Sequence, residues 1–265
     1  MALQKKKSLG QHFLKSASYV RSIADAAEIQ AGERVLEIGP GEGVLTKELL
    51  ARGAHVVAVE KDHRLIPILE VTFTKEISEG RLEVVEGDAL EIDAETLMRK
   101  GPYKLVANIP YYITGVLFKK FLSGVHQPNT LVFLIQKEVA QRITGHPSTG
   151  SGSQKESILS LSVKAYGDVK YVKTVPAGAF SPPPDVDSAI LAVRNISKKN
   201  FENAAHEARF FEVVRAGFAQ KRKLLKRNLE PVLGTSVAER FTDVDIPDTA
   251  RAEDIPLEAW LKLSA

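Results

Sequence analysis

The sequence predicts an α/β fold, a parallel sheet with helices on both faces, followed by a small all-helical domain. Two observations carry this. Through the first two thirds of the 265 residues, apolar runs of strand length alternate with stretches of helical periodicity, the signature of a parallel sheet. Beyond Ser197 no strand-like run remains, and apolar residues recur at helical spacing only. The composition, 44% hydrophobic and 26% charged, is that of an ordinary globular chain long enough to bury a core without staples. The absence of cysteine excludes disulfides, Cys-ligated zinc, iron–sulfur clusters and thiol nucleophiles, and fits a reducing, cytoplasmic compartment. The longest apolar runs, such as 131–135, have about five residues where ~18 would be needed to span a membrane. Lys5, Lys6 and Lys7 are not followed by an apolar stretch, which argues against a secretory signal.

The elements follow in order. Residues 34–38 (RVLEI) read as a buried strand that ends in glycines. Residues 44–52 have apolar positions at helical spacing, with Gly53 as a C-terminal stop. Residues 55–59 (HVVAV), 82–85, 105–107 and 130–135 read as further strands. Between them lie helical stretches at 64–71, weakened by Pro67, and at 95–99, 116–122 and 137–143. Residues 145–154 form a polar Gly/Ser-rich loop. A helix at 156–165 and strands at 169–175 and 188–193 complete the first domain. The last two strands are separated by 180–185 (FSPPPD), a stiff extended loop whose three prolines fit neither a ladder nor a helix interior. The boundary falls at 197/198, and helices are expected at 205–218, 221–229, 237–241 and 257–263.

Chemistry concentrates first at residues 37–43 (EIGPGEG), between a predicted strand and a predicted helix. Glycines there let a ligand approach the backbone, and the helix N-terminus offers free N–H groups. A dinucleotide fingerprint beginning at Gly39 would need glycine at position 44, where the chain has Val44. Gly39-x-Gly41-x-Gly43 preceded by an acid is instead the pattern of S-adenosylmethionine (AdoMet) methyltransferases. Glu60, at the end of the second strand, is placed to accept the ribose hydroxyls of an adenosine ligand. Asp88, followed by Ala89 after the third strand, is placed to accept from an adenine amine. Each acid alone also reads as a surface residue. Three successive strand ends bearing Gly39, Glu60 and Asp88 form a set on the edge where such sheets bind ligands.

After the fourth strand comes 108–112 (NIPYY). An exocyclic amine on a planar base is a poor nucleophile, because its lone pair is delocalised into the ring. Acceptors on both of its N–H groups, the Asn108 side-chain carbonyl and a backbone carbonyl near Ile109, favour a tetrahedral nitrogen with a free lone pair. Pro110 fixes the backbone, and Tyr111 offers a face on which a base can stack, worth ~1–3 kcal/mol. Alone, the segment would also read as an Asn-Pro turn with two tyrosines on the core.

Residues 108–111 (NIPY) resemble the adenine-N6 methyltransferase motif in its rRNA form. Residues 8–14 (SLGQHFL), 180–188 (FSPPPDVDS) and 218–228 (FAQKRKLLKRN) resemble three further signatures of the small-subunit rRNA adenine dimethyltransferases, the KsgA/Dim1 family. The four motifs stand in the family's order and span essentially the whole chain. The resemblance implies a Rossmann-like AdoMet methyltransferase domain at 1–197 and a helical rRNA-binding domain at 198–265. It implies transfer of two methyl groups to N6 of each of two adjacent adenosines near the 3′ end of small-subunit rRNA. The implied cofactor contacts are Gln11, His12, Leu14, Gly39, Gly41, Glu60, Asp88, Ala89 and Asn108, with a backbone contact at His12, where the family often has Asn. The implied partner is small-subunit rRNA in a pre-30S-type particle, bound by a monomer with no membrane association. Phe180 has two uses of equal weight on residue chemistry: a second ring clamping the target base against Tyr111, or a hydrophobic anchor for its loop.

Arg215, Lys221, Arg222, Lys223, Lys226 and Arg227 fall in a stretch without an acid, on a chain whose formal net charge is only +3. Such a local patch suits RNA phosphates. No metal-ligand spacing or nucleophile-elbow motif occurs. A large-subunit rRNA methyltransferase and a non-catalytic ribosome-assembly factor are the competing functions. The signatures at 180–188 and 218–228 argue against the first, and the intact cofactor set argues against the second.

Overall fold

The computed structural model describes residues 12–145, 155–220 and 222–265. Lys5, Lys6, Lys7, Gln11, Lys221 and residues 146–154 of the Gly/Ser-rich loop lie outside the described residues. The chain divides into two compact units, residues 1–140 with 168–196 and residues 141–167 with 197–265.

The first unit is built on strands β1 (Phe13–Leu14), β2 (Arg34–Ile38), β3 (His55–Glu60), β4 (Leu82–Glu86), β5 (Lys104–Asn108), β6 (Thr130–Gln136), β7 (Asp168–Val175), β8 (Phe180–Ser181) and β9 (Ser188–Arg194). Seven of them form one sheet in the order β4-β3-β2-β5-β6-β9-β7. The expected parallel arrangement holds for β4, β3, β2, β5 and β6. It fails at β9, which pairs antiparallel with both β6 and β7. No long α-helix carries the chain from β7 back to its starting edge before β9, so β9 returns in the opposite direction. The central strands are buried on both faces, as their continuous Val, Ile, Leu and Ala runs require.

Two helical features depart from the sequence pattern. Helix Ala17–Ala26 was not expected, because its buried side is partly alanine (Val20, Ile23, Ala24, Ala26) and its periodicity is faint. Pro67, read as a weakness, lies in the first turn of Ile66–Thr72, where a missing N–H costs nothing.

β1 and β8 form a separate two-stranded ribbon with Phe13 opposite Ser181 and Leu14 opposite Phe180. It ties the N-terminal signature to the proline loop, whose Ser181–Pro182 bond is cis.

The second unit holds helices Ile158–Lys164, Ala204–Gly217, Leu225–Leu233, Val237–Asp243 and Leu257–Ser264. Helix Ile158–Lys164, which the sequence suggested lay in the first domain, packs here, because Tyr166 at its end meets Phe201 edge-on, stacks on Phe211 and donates to Glu207. Asn203 caps Ala204–Gly217 by accepting from the N–H groups of Ala205 and His206. The helix expected at 221–229 begins at Leu225, since Lys223 N–H bonds back to Gln220 and Leu224 is extended. No helix among the described residues is long and apolar enough to cross a membrane.

Candidate functional site

In the first unit the chain leaves β2 for β3 and β4 on one side and returns to β5 on the other. This topological switch point is where an open α/β sheet leaves a crevice at its carboxyl edge. A cavity there is lined by His12 and Leu14, by Gly39 and Gly41 after β2, by Glu60 at the end of β3, by Asp88 and Ala89 after β4, and by Asn108 and Tyr111 at and after β5. Every expected cofactor residue within the described chain therefore faces one space. The fold does this because each β-strand of the parallel set delivers its last residue to the same edge.

The glycines of the turn are dictated by sterics. Gly39 (φ +68°) lies against the end of β5, where an added Cβ would sit 3.3 Å from the Asn108 carbonyl oxygen. Gly41 (φ +60°) lies under Phe13, where a Cβ would come to 2.8 Å from the ring. Gly41→Ala combines left-handed strain with that clash, and Phe13 is held in the β1–β8 ribbon. The expected result is AdoMet binding weakened at least about tenfold, measured by calorimetry.

Glu60 is 6% exposed; it accepts from Gly41 N–H at 3.0 Å and from Asp62 N–H at 2.9 Å. Burial raises its pKa, and the two backbone bonds oppose the rise. Each oxygen keeps a lone pair for a further hydroxyl donor. Asp88 is different. Lys61 lies 2.6 Å from one of its oxygens, and Leu90 N–H donates to the other at 2.9 Å. The bond from Lys61 holds the Asp88 carboxyl below its ordinary pKa, so it remains a charged acceptor.

Asn108 donates its side-chain N–H to the His12 carbonyl at 3.2 Å. That bond orients the amide and leaves its oxygen available. His12 Nδ1 lies 2.9 Å from the Pro182 carbonyl, and its ring stacks on Tyr111 with centroids 6.2 Å apart and planes at 17°. The Tyr111 hydroxyl is 2.8 Å from Ser188 Oγ, which fixes the ring. Of the two uses open to Phe180, the structure favours the anchor. Its ring is 5% exposed, belongs to the core with Leu14, Val20 and Ile23, and does not line the cavity.

Among the cavity's lining residues are three with polar side chains that had not been expected in the site. Lys61 is one, through its bond to Asp88. Tyr112, 68% exposed at the rim, is another. The third is Glu37, the acid preceding the glycines. It is 1% exposed, and neither carboxylate oxygen makes a well-formed hydrogen bond, although Thr46 lies close by. Burial pushes its pKa up to about 8, a rise that hydrogen bonding from Thr46 opposes and the nearby Glu60 reinforces. A signal was present: an acid inside an otherwise apolar parallel strand has no place in a core without a ligand or a partner.

The family model for ribosomal RNA adenine dimethylase matches residues 2–265. The chain belongs to this family. It is an AdoMet-dependent rRNA adenine dimethyltransferase. Among individual relatives, the dimethylase chain is 40% identical to the ribosomal RNA small subunit methyltransferase A of Dehalococcoides mccartyi, covering 98% of this chain and 88% of that one. It is also 40% identical to the protein of the same name from Caulobacter vibrioides, covering 98% and 96%. Among solved structures, a dimethyladenosine transferase from Plasmodium falciparum superposes with a TM-score of 0.78 at 27% identity, covering 95% of this chain and 96% of that one. The 23S rRNA methyltransferase ErmE does so with the same TM-score and identity, covering 95% and 98%.

The residues present in this dimethylase fit AdoMet. A buried carboxyl at Glu37 without a well-formed hydrogen bond suits a cationic amine, Glu60 suits ribose hydroxyls, and charged Asp88 suits an adenine amine.

Proposed function

We propose that this chain dimethylates two adjacent adenosines near the 3′ end of small-subunit rRNA, acting as a monomer on a pre-30S-type particle. The observation that carries the chemistry is the Asn108 amide, oriented by its bond to the His12 carbonyl at the end of β5. Its free oxygen accepts one N–H of the target N6, and a backbone carbonyl near Ile109 accepts the other. Both acceptors draw the nitrogen toward a tetrahedral geometry and free its lone pair. Tyr111, fixed by Ser188, supplies the face on which the base stacks after leaving its own helix. Bound at the carboxyl edge, AdoMet supplies a methyl group made electrophilic by its sulfonium. The aminium formed on N6 is acidic, so no strong base is required. Phe180 acts by holding β1 and β8 together, and so sets the position of His12 and Leu14.

Small-subunit specificity rests on sequence and not on architecture. ErmE and the dimethyladenosine transferase superpose equally well, whereas the relatives at 40% identity are named for the small subunit. Methyl transfer to purified small subunits, followed by mass spectrometry of the RNA, should yield dimethyladenosine. Transfer to large subunits alone would reverse the reading.

The helical unit is proposed as the RNA-binding part. Arg215, Arg222, Lys223 and Arg227 are exposed there. Lys226 is compensated: Asp248, distant in sequence, pairs with it at 2.8 Å. Asn228 pins the basic loop by donating to the Gly217 and Gln220 carbonyls. Replacing Arg222, Lys223 and Arg227 with Ala should weaken RNA binding and flatten its salt dependence by roughly one unit of slope per lost phosphate contact. Lys226→Ala should change the slope less.

A further inference from the structure

We propose that the amino-terminal edge of the same sheet carries a second binding site, one for a phosphate group, formed by Arg34, His55, Arg81 and Arg99. Parallel register creates it. Arg34 opens β2 directly opposite His55, which opens β3, and Arg81 immediately precedes β4 beside His55, its carbonyl bonded to Val56 N–H at 2.8 Å. Two adjacent strands thus begin on basic residues and the third directly follows one, so the three residues stand in register along one edge. Together with Arg99 they line a cleft of about 410 Å³, in which Glu83 is the one acid among the described lining residues.

Two features of the cleft point to an anion. Arg34 donates through one terminal nitrogen to the Leu97 carbonyl at 3.2 Å, but its Nε is buried with no hydrogen-bond partner. A guanidinium cannot relieve this by losing its proton, and no acid among the described residues forms an ion pair with Arg34, so its charge is left to the cleft. Arg99 is the second. It and Lys100 both adopt left-handed backbone conformations (φ +52° and +55°), unfavourable for non-glycine residues, after the short helix Ala94–Leu97. These residues close the C-terminus of that helix, with Arg99 N–H bonded to the Thr96 carbonyl and Lys100 N–H to the Glu95 carbonyl. That helix end sets Arg99 at the cleft wall.

The neighbouring charges narrow the roles. Arg81 is already bound to Glu79 at 2.5 Å and lies 3.8 Å from Glu76, and Lys104 on β5 is paired with Glu33 at 2.7 Å. Arg34 and Arg99 are therefore the principal donors, with His55 and Arg81 shaping the field. The planar fork of a guanidinium matches the oxygens of a tetrahedral phosphate. That phosphate belongs either to an RNA strand or to a free phosphomonoester, and the chemistry of recognition is the same. The site stands apart from the methyl-transfer cavity, at the opposite ends of the same strands.

The test uses the full chain labelled with ¹⁵N and titrated with inorganic phosphate. The Arg34 Nε–H resonance should move and saturate at millimolar phosphate. Arg99→Gln should weaken this binding at least fivefold without lowering Tm. Arg99→Gly should weaken it equally while raising Tm, because glycine relieves the left-handed strain; a purely structural Arg99 would raise Tm and leave phosphate binding unchanged. Arg34→Gln could compromise folding, so the Arg99 pair carries the decision. No saturable movement of the Arg34 signal, or an unchanged affinity in Arg99→Gln, overturns the proposal. A hexauridylate that binds tenfold more tightly than phosphate and loses that advantage in Arg99→Gln assigns the site to an RNA strand. Equal affinity for the two probes assigns it to a free phosphate group.

Discussion

Asn108→Ala is expected to lower kcat by about 10²–10³-fold while leaving RNA affinity within a few-fold of wild type. Removal of one pre-organised polar group from a reacting centre has that magnitude. Asn108 qualifies because its amide is oriented before substrate arrives: the side-chain N–H is committed to the His12 carbonyl, so the oxygen does not have to reorganise. The loss should be almost wholly in kcat, since the acceptor bonds count most once the nitrogen becomes tetrahedral. Single-turnover methyl transfer on small subunits measures the effect, and filter binding measures the RNA affinity. Losing the bond to His12 will also loosen the N-terminal ribbon. Asn108→Asp separates the two consequences. It keeps an oxygen acceptor but faces the His12 carbonyl with an oxygen in place of a donor. Wild-type turnover in both variants would remove Asn108 from the chemistry.

The fold and the cofactor edge were legible because they follow from local rules. A parallel sheet needs apolar runs alternating with helices, and it delivers its strand ends to one edge, so Gly39, Glu60, Asp88 and Asn108 were placed together by arithmetic on the chain. What escaped depended on long-range pairing. Nothing local shows that Leu14 lies opposite Phe180, so the ring that residue chemistry allowed as a base clamp became a core anchor. Nothing in a stretch free of acids shows that Asp248 will return to neutralise Lys226. The same limit hid Lys61, whose charge matters only because β3 and β4 are neighbours and set it beside Asp88. Antiparallel β9 was missed for a related reason: strand direction is decided by the connection, and the proline loop is too irregular to reveal its path.

Glu37 yields the second large effect, on proton traffic. With a pKa of about 8 its carboxyl is mostly protonated at neutral pH. A cationic amine brought against it would favour the ionised form and pull that pKa down. Cofactor binding at pH 7 should therefore release close to one proton per site. Calorimetry in two buffers of different ionisation heat measures the number directly. Glu37→Gln keeps the shape but holds no titratable proton. It should bind AdoMet about 10–100-fold more weakly, the range for losing a hydrogen bond to a charged group, and release none. Stability supplies an independent check with a defined sign. A carboxyl whose folded pKa is raised stabilises the fold most below its unfolded value of 4.5, and that contribution is lost as pH rises through about 8. The ligand-free wild type should lose Tm across this window relative to Glu37→Gln, and AdoMet should abolish much of the difference by giving the ionised carboxylate a partner. An unchanged proton count in the variant would mean that the released proton comes from elsewhere and that the buried carboxyl does not meet the cofactor. If the count falls to zero as expected, Glu37 is the group that makes an apolar strand end selective for a cation, a role separate from the hydrogen bonds of Glu60 and Asp88.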